Sequence, residues 1–263
     1  MRIVVCVKQV PDIGEAKRIE TNRKTGTVIR EGVPAIVNPF DEYALEEAVR
    51  LKERHGGEIV AISMGPAEAE EALIKSLSMG CDQAVLLTDS KFAGSDTVAT
   101  SYTLAAAIRK IGEFDLILCG QKAIDGETAQ VGPMLAENLH VPQITYVNEL
   151  EIQGKKVIAR RELEKGFLVV QCRMPVLLTL VKGINVPRVP TYSDLSDAME
   201  KEIITWAAED LDVEESLLGL RGSPTSVSQV WTPELRPGGE ALTGEPSELA
   251  NRIAEVLLGI LEG

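Results

Sequence analysis

Four short apolar runs, Ile3–Val7, Glu58–Met64, Ala84–Leu87 and Leu116–Cys119, are separated by stretches with helical spacing, and this alternation constrains the fold more than any other feature. Each run is short, largely β-branched or leucine-rich, and bounded by turn residues, which suits a strand buried on both faces. Between them, Phe40, Ala44, Ala48 and Leu51, then Ala69, Leu73 and Leu77, then Leu104, Ala105 and Ile108 recur at the period of an amphipathic helix. The pattern predicts an α/β fold, a Rossmann-like, doubly wound, mostly parallel sheet with helices on both faces. Such sheets bind ligands beyond the carboxyl ends of their strands. The turns at Val7–Pro11, Met64–Pro66, Gly94–Thr97 and Gly120–Thr128 therefore share one rim.

The remaining segments attach to this frame. Lys17–Arg30 alternates weakly around Lys24–Gly26 and reads as a peripheral hairpin. Asn38 is placed to cap a helix with Pro39 in its first turn and Asp41 and Glu42 at its positive end, while Glu46 and Arg50 pair along it. After His140 the chain turns β-rich, with Ile144–Leu150, Lys156–Arg161, Phe167–Gln171 and Val176–Leu180. A loop at Val181–Pro190, a short helix at Tyr192–Lys201 and a strand at Ile203–Ala207 follow. Beyond Leu211 the composition loosens into glycine and proline, and a final helix carries Leu249, Ile253, Val256, Leu257, Ile260 and Leu261 on one stripe. We expect an α/β domain over 1–210 and a linker-plus-helix arm over 211–263. The stripe packs either on its own domain or on another chain.

Composition narrows the function. A chain of 263 residues with 44% apolar content buries a substantial core. Its formal charge of −13 argues against a nucleic-acid surface, which needs basic stripes. Cys6, Cys81, Cys119 and Cys172 show no CxxC spacing, and with only His55 and His140 no metal site is expected. No run reaches the length of a membrane span and the start lacks a cleavage region, so a cytoplasmic protein is expected. Neither GxGxxG nor GxxxxGK[ST] nor GxSxG is present, and no catalytic side chain is named.

The stretch Ala123–Pro133 follows a predicted strand and opens a predicted helix. Unpaired amides and the helix dipole make such a turn a phosphate site, with Gly126 allowing close approach and Thr128 capping or donating. Ser95, Asp96, Thr97, Thr100, Asp125 and Glu127 lie on the same rim, where each either meets a nucleotide or simply caps a helix.

VCVKQVPD at Val5–Asp12, NPFDEYALEEA at Asn38–Ala48, MGPAEAEEAL at Met64–Leu73 and GQKAIDGETAQVGP at Gly120–Pro133 together resemble the β subunit of electron transfer flavoprotein, in order from Met1 to about Pro190. The resemblance implies a heterodimer with an α subunit that holds a redox FAD, the β subunit holding a second nucleotide: a structural AMP in conventional members, a second FAD that takes a hydride from NADH in electron-bifurcating ones. The small residues Gly126, Thr128 and Ala129, the SDTVATS run at Ser95–Ser101 and VPD at Val10–Asp12 are similar to the bifurcating type and favour FAD. Lys165 departs from the family's acidic or glycine pattern at Glu162–Gly166.

By this resemblance the nucleotide contacts fall on Cys6, Asn38, Pro39, Phe40, Asp41, Met64 and Gln121, Lys122, Ala123, Ile124, Asp125, Gly126, Glu127, Thr128, Ala129, Gln130, Val131 and Gly132, with Ser95, Asp96, Thr97 and Thr100 joining them. Ile184, Asn185, Pro187 and Arg188 match a partner-binding loop, and Val10–Asp12 with Gly65 and Pro66 lie where NADH would approach. The implied function is to split electrons from NADH. One passes to the α-subunit FAD, toward an acyl-CoA dehydrogenase or quinone pathway, and the other to ferredoxin or flavodoxin. The alternatives are a conventional AMP-holding subunit and an unrelated nucleotide-binding regulatory domain.

Overall fold

The runs that read as buried strands are buried along their centres: Ile59 to Ile62, Ala84 to Leu87 and Leu116 to Leu118 are all at most 3% exposed. Each large apolar side chain withdrawn from water this completely contributes about 1.5–3 kcal/mol. The computed structural model describes residues 1–12, 20–21, 28–29, 34–228, 239 and 241–261. In chain order the strands and helices are β1 (Arg2–Cys6), β2 (Gln9–Pro11), β3 (Glu20–Thr21), β4 (Val28–Ile29), β5 (Ala35–Val37), α1 (Pro39–His55), β6 (Glu58–Met64), α2 (Glu70–Met79), β7 (Gln83–Leu87), α3 (Thr97–Ile111), β8 (Leu116–Gly120), α4 (Val131–Leu139), β9 (Gln143–Gln153), β10 (Lys156–Glu162), β11 (Phe167–Arg173), β12 (Val176–Leu180), α5 (Tyr192–Met199), β13 (Ile204–Trp206) and α6 (Pro246–Leu261).

Nine strands form one sheet in the order β11-β10-β9-β12-β8-β1-β6-β7-β13. All neighbours from β9 to β13 are parallel, and β10 and β11 add an antiparallel edge. The fold is thus the expected α/β doubly wound sheet with a β-rich addition. One core layer joins α1, α2 and the buried Ala198 of α5 to Ile3, Val5, Ala61 and Leu118; the other joins α3 and α4 to Val4, Val60, Ile62 and Ile117. From β7 the chain crosses back past β1 to β8, so the winding reverses between β1 and β8. A crevice beyond their carboxyl ends is where such a sheet binds ligands.

β3 and β4 pair antiparallel as the ends of the expected hairpin, and its turn at Lys24–Gly26 lies outside the described residues. The chain divides into Met1–Gln229 and Val230–Gly263. Residues 211–228 therefore belong with the sheet, although the composition shift at Leu211 suggests an arm. Leu211 and Leu218 are buried in the α3–α4 layer, and two short 3-10 turns, Glu215–Leu217 and Gly219–Gly222, carry the chain there without regular helix or strand. In the second unit α6 begins at Pro246, and Ile253, Val256, Leu257 and Ile260 are exposed at helical spacing.

Candidate functional site

Two side chains from the start of α1 hold the crevice together. The Asp41 carboxylate accepts the Lys8 amide, just past β1, at 2.8 Å and the Gly120 amide, at the end of β8, at 3.2 Å. Asn38 donates from Nδ2 to the Lys122 carbonyl at 2.9 Å and accepts the Ile124 amide at 3.1 Å. The sequence suggests that Asn38 caps α1; instead it stands at the cap position with no side-chain cap bond, its amide turned onto the loop after β8. Pro39 opens the helix, as expected. Burial pushes the Asp41 carboxyl up to about 7, against the opposing hydrogen bonds from Asn38, Lys8 and Gly120 and the Lys8 charge.

The loop Gln121–Gln130 is braced by ion pairs. Lys8 Nζ meets both Asp125 carboxylate oxygens at 2.7 Å, and Lys122 Nζ meets Glu127 Oε1 at 2.7 Å while lying 5.9 Å from the Phe40 ring centroid. Glu127 (φ 51°) and Ala129 (φ 54°) are left-handed without being glycine, whereas Thr128 is not, and Gln130 is right-handed (φ −104°, ψ −26°). Backbone of alternating hand turns successive N–H groups to one side and makes an anion-binding concavity. The Thr128 and Ala129 amides have no hydrogen-bond partner among the described residues, and α4 starts at Val131 with no side-chain cap. Thr128 does not cap α4; its Oγ1 accepts the Gln130 amide at 3.4 Å. A Cβ on Gly126 would meet nothing within 4 Å, whereas one on Gly132 would lie 2.6 Å from Thr179 Cγ2, so Gly126 borders open space and Gly132 seats α4 on β12.

The start of α3 differs. One oxygen of Asp96 accepts the Val98 and Ala99 amides at 2.9 and 3.1 Å, and the other accepts the Thr225 amide and hydroxyl at 3.0 and 2.8 Å. Burial opposes ionisation of Asp96, but bonds from Thr225, Ala99 and Val98 outweigh it and hold the carboxyl below its ordinary value. For Asp96 capping is what the structure shows. Ser95 donates to the Phe92 carbonyl at 2.8 Å, Thr97 donates to Gln130 Oε1 at 3.3 Å and so joins the α3 start to the β8 loop, and Thr100 is half-buried one turn further on. Cys6 and Cys119 are register partners at the crevice floor, and Met64 ends the next strand. The rim thus gathers every expected nucleotide residue at the carboxyl ends of β1, β6 and β8 and the starts of α1, α3 and α4.

The expected partner loop turns two of its residues inward. Asn185 donates to the Tyr43 carbonyl at 3.0 Å and to Glu47 Oε2 at 3.1 Å, and the Arg188 guanidinium grips Glu46 at 2.8 Å and Glu53 at 2.7 Å. Ile184 and Pro187 are half-buried, while Val186 and Val189, which the sequence reading overlooked, are more than three-quarters exposed. A cavity of about 410 Å³ beside them, lined by Val49, Met79 and Arg188, lies at the far ends of α1 and α2 from the rim.

A model of the electron transfer flavoprotein domain matches residues 25–211. The electron transfer flavoprotein subunit beta of Thermoanaerobacterium thermosaccharolyticum is 48% identical over 258 residues, 98% of each chain. The chain belongs to the electron transfer flavoprotein β-subunit family. The β subunit is also similar to subunit CarD of the caffeyl-CoA reductase-Etf complex of Acetobacterium woodii, 47% identical over 245 residues that cover 93% of this chain and 92% of that one. FixA of Azorhizobium caulinodans is 46% identical over 244 residues, 90% and 86% of the two chains. Electron transfer flavoprotein β subunits pair with an α subunit, and no helix among the described residues is long and apolar enough to cross a membrane.

Proposed function

We propose that this β subunit holds FAD in the crevice between β1 and β8 and, with an α subunit, splits the electrons of NADH between two acceptors. The observation that carries the nucleotide site is the contrast between the two rim helices. α3 is capped by its own Asp96, whereas α4 opens uncapped behind a backbone of alternating hand with free Thr128 and Ala129 amides. That donor set suits a phosphate or pyrophosphate, which those amides and the α4 start would hold. The open space at Gly126 and the lack of bulk at Ala129 suit a ligand as wide as a flavin.

A flavin bound there would supply the hydride and single-electron chemistry. The chain's own residues position: Asn38 and Asp41 set the distance between the two lips, Thr97 and Gln130 link the loop to α3, and the half-buried Thr100 lines the same edge. NADH would approach beside Val10–Asp12 and Gly65–Pro66. The other acceptors would be an acyl-CoA dehydrogenase or quinone pathway on the α-FAD side and ferredoxin or flavodoxin on the other. Val186 within the Ile184–Arg188 loop and Val189 just beyond it would give an apolar contact with such a partner, and the Val230–Gly263 unit with α6 would embrace the α subunit.

The test is anaerobic titration of the purified heterodimer with NADH. Two flavins per heterodimer and rapid bleaching support the reading. One flavin with one AMP and no response to NADH overturns it.

A further inference from the structure

β11 is the outer strand of the nine-stranded sheet, seven residues long, and its outward peptide groups have no strand to pair with among the described residues. Long free edges are ordinarily blunted by charge, proline or short length. This one is apolar on both faces: Phe167 is 57% and Val169 66% exposed on one side, and Leu168 is 49% exposed on the other. Directly across from Leu168 stands Arg161, whose Nε is buried with no hydrogen-bond partner and whose guanidinium makes no ion pair among the described residues. Its neighbour Arg160 is by contrast engaged by Glu149 and the Phe167 ring. From Lys155 to Arg173 the hairpin carries six basic residues and two acidic ones, in a chain whose formal charge is −13.

We infer that the β11 edge is the docking surface for a strand of the α subunit, which extends the sheet, covers Phe167, Leu168 and Val169, and brings a carboxylate to Arg161. Charge selects this occupant over a second copy of the chain. Two copies joined edge to edge would set the same basic hairpins against each other, a repulsive arrangement, whereas an acidic partner strand satisfies both the main-chain edge and the unpaired guanidinium. The inference rests on the chain being one half of a heterodimer.

The test uses the co-expressed heterodimer with Val169→Lys, which places charge at an already exposed position, and Arg161→Gln. Dissociation is followed by native mass spectrometry and by sedimentation over a dilution series at two salt concentrations. Val169→Lys is expected to weaken the heterodimer about tenfold or more, and Arg161→Gln to weaken it and flatten its salt dependence. A heterodimer of wild-type strength in both variants overturns the assignment, as does a homodimer of the full chain that Val169→Lys abolishes while the heterodimer survives. If the wild-type chain copurifies with no second chain, the heterodimer reading itself fails.

Discussion

Asp41 and Gly120 fit together only because residue 120 has no side chain. The Gly120 amide donates to Asp41 Oδ1 at 3.2 Å, and a Cβ there would collide with that oxygen and lie 2.6 Å from the Phe40 carbonyl carbon. Backbone on one side and a buried carboxylate on the other leave no flexible group to yield. Gly120→Ala is expected to lower stability by about 1–3 kcal/mol. A urea midpoint shifted at constant slope would show it, and an unchanged midpoint would mean that the two elements separate without cost.

Asp41 also links the crevice to pH. Its carboxyl rises from 3.8 to about 7 on folding, because burial disfavours the charge. The folded chain then holds a proton that the unfolded chain has released, so this group's contribution to stability is full below 3.8 and is lost as pH rises through about 7. Wild type should show that decline in chemical denaturation, and Asp41→Asn, which cannot ionise, should lose this part of the slope. A variant with the wild-type slope would assign the titration to another group.

The left-handed residue Ala129 stores strain that glycine would release. Left-handed backbone costs a non-glycine residue about 1–2 kcal/mol, while glycine adds about 0.5–1 kcal/mol of unfolded-state entropy. Ala129→Gly is therefore expected to leave stability unchanged or raise it by up to about 1 kcal/mol. Thermal unfolding reads the difference, and a clear loss would show that the methyl group is needed for packing.

Arg188 fastens its loop to α1 through Glu46, whose side chain is 4% exposed. Burial works against the Glu46 charge, but hydrogen bonds and charge from Arg188, with Arg50 behind, pull its carboxyl below the ordinary 4.5. Because Arg188 is 36% exposed and Arg50 remains, Arg188→Gln is expected to cost only about 1–2 kcal/mol at neutral pH. The stabilisation is present above 4.5 and is lost as pH falls through the lowered value, so the two proteins should converge in acid. A gap that persists there would assign the loss to packing of the arginine stem.

What the sequence makes legible is what local chemistry decides. β1, β6, β7 and β8 fall on the apolar runs, α3 starts at its Asp96 cap, α5 and α6 start at Tyr192 and Pro246, and Glu46 pairs with Arg50 one turn on. The roles of Asn38 and Asp41 are not local. Both residues look like ordinary helix-start chemistry until β8 is known to lie beside β1, which brings Gly120 and Lys122 next to a helix some eighty residues earlier in the chain. The packing of 211–228 is hidden for a related reason, since Leu211 and Leu218 bury themselves without the periodicity that announces a helix or strand. The resemblance to electron transfer flavoprotein supplies the family, and the structure adds which of the two rim helices is left uncapped.

The central claim is that a nucleotide rests on the loop between β8 and α4, and Gly126 permits a direct measurement. A side chain there meets nothing of the chain within 4 Å, so Gly126→Leu should fold as wild type does while filling the ligand's space. Flavin released from the denatured heterodimer, counted by chromatography against protein, is expected to fall from two per heterodimer to one, the α-subunit flavin staying bound. Two flavins retained in a folded Gly126→Leu heterodimer would place the nucleotide elsewhere and contradict the account.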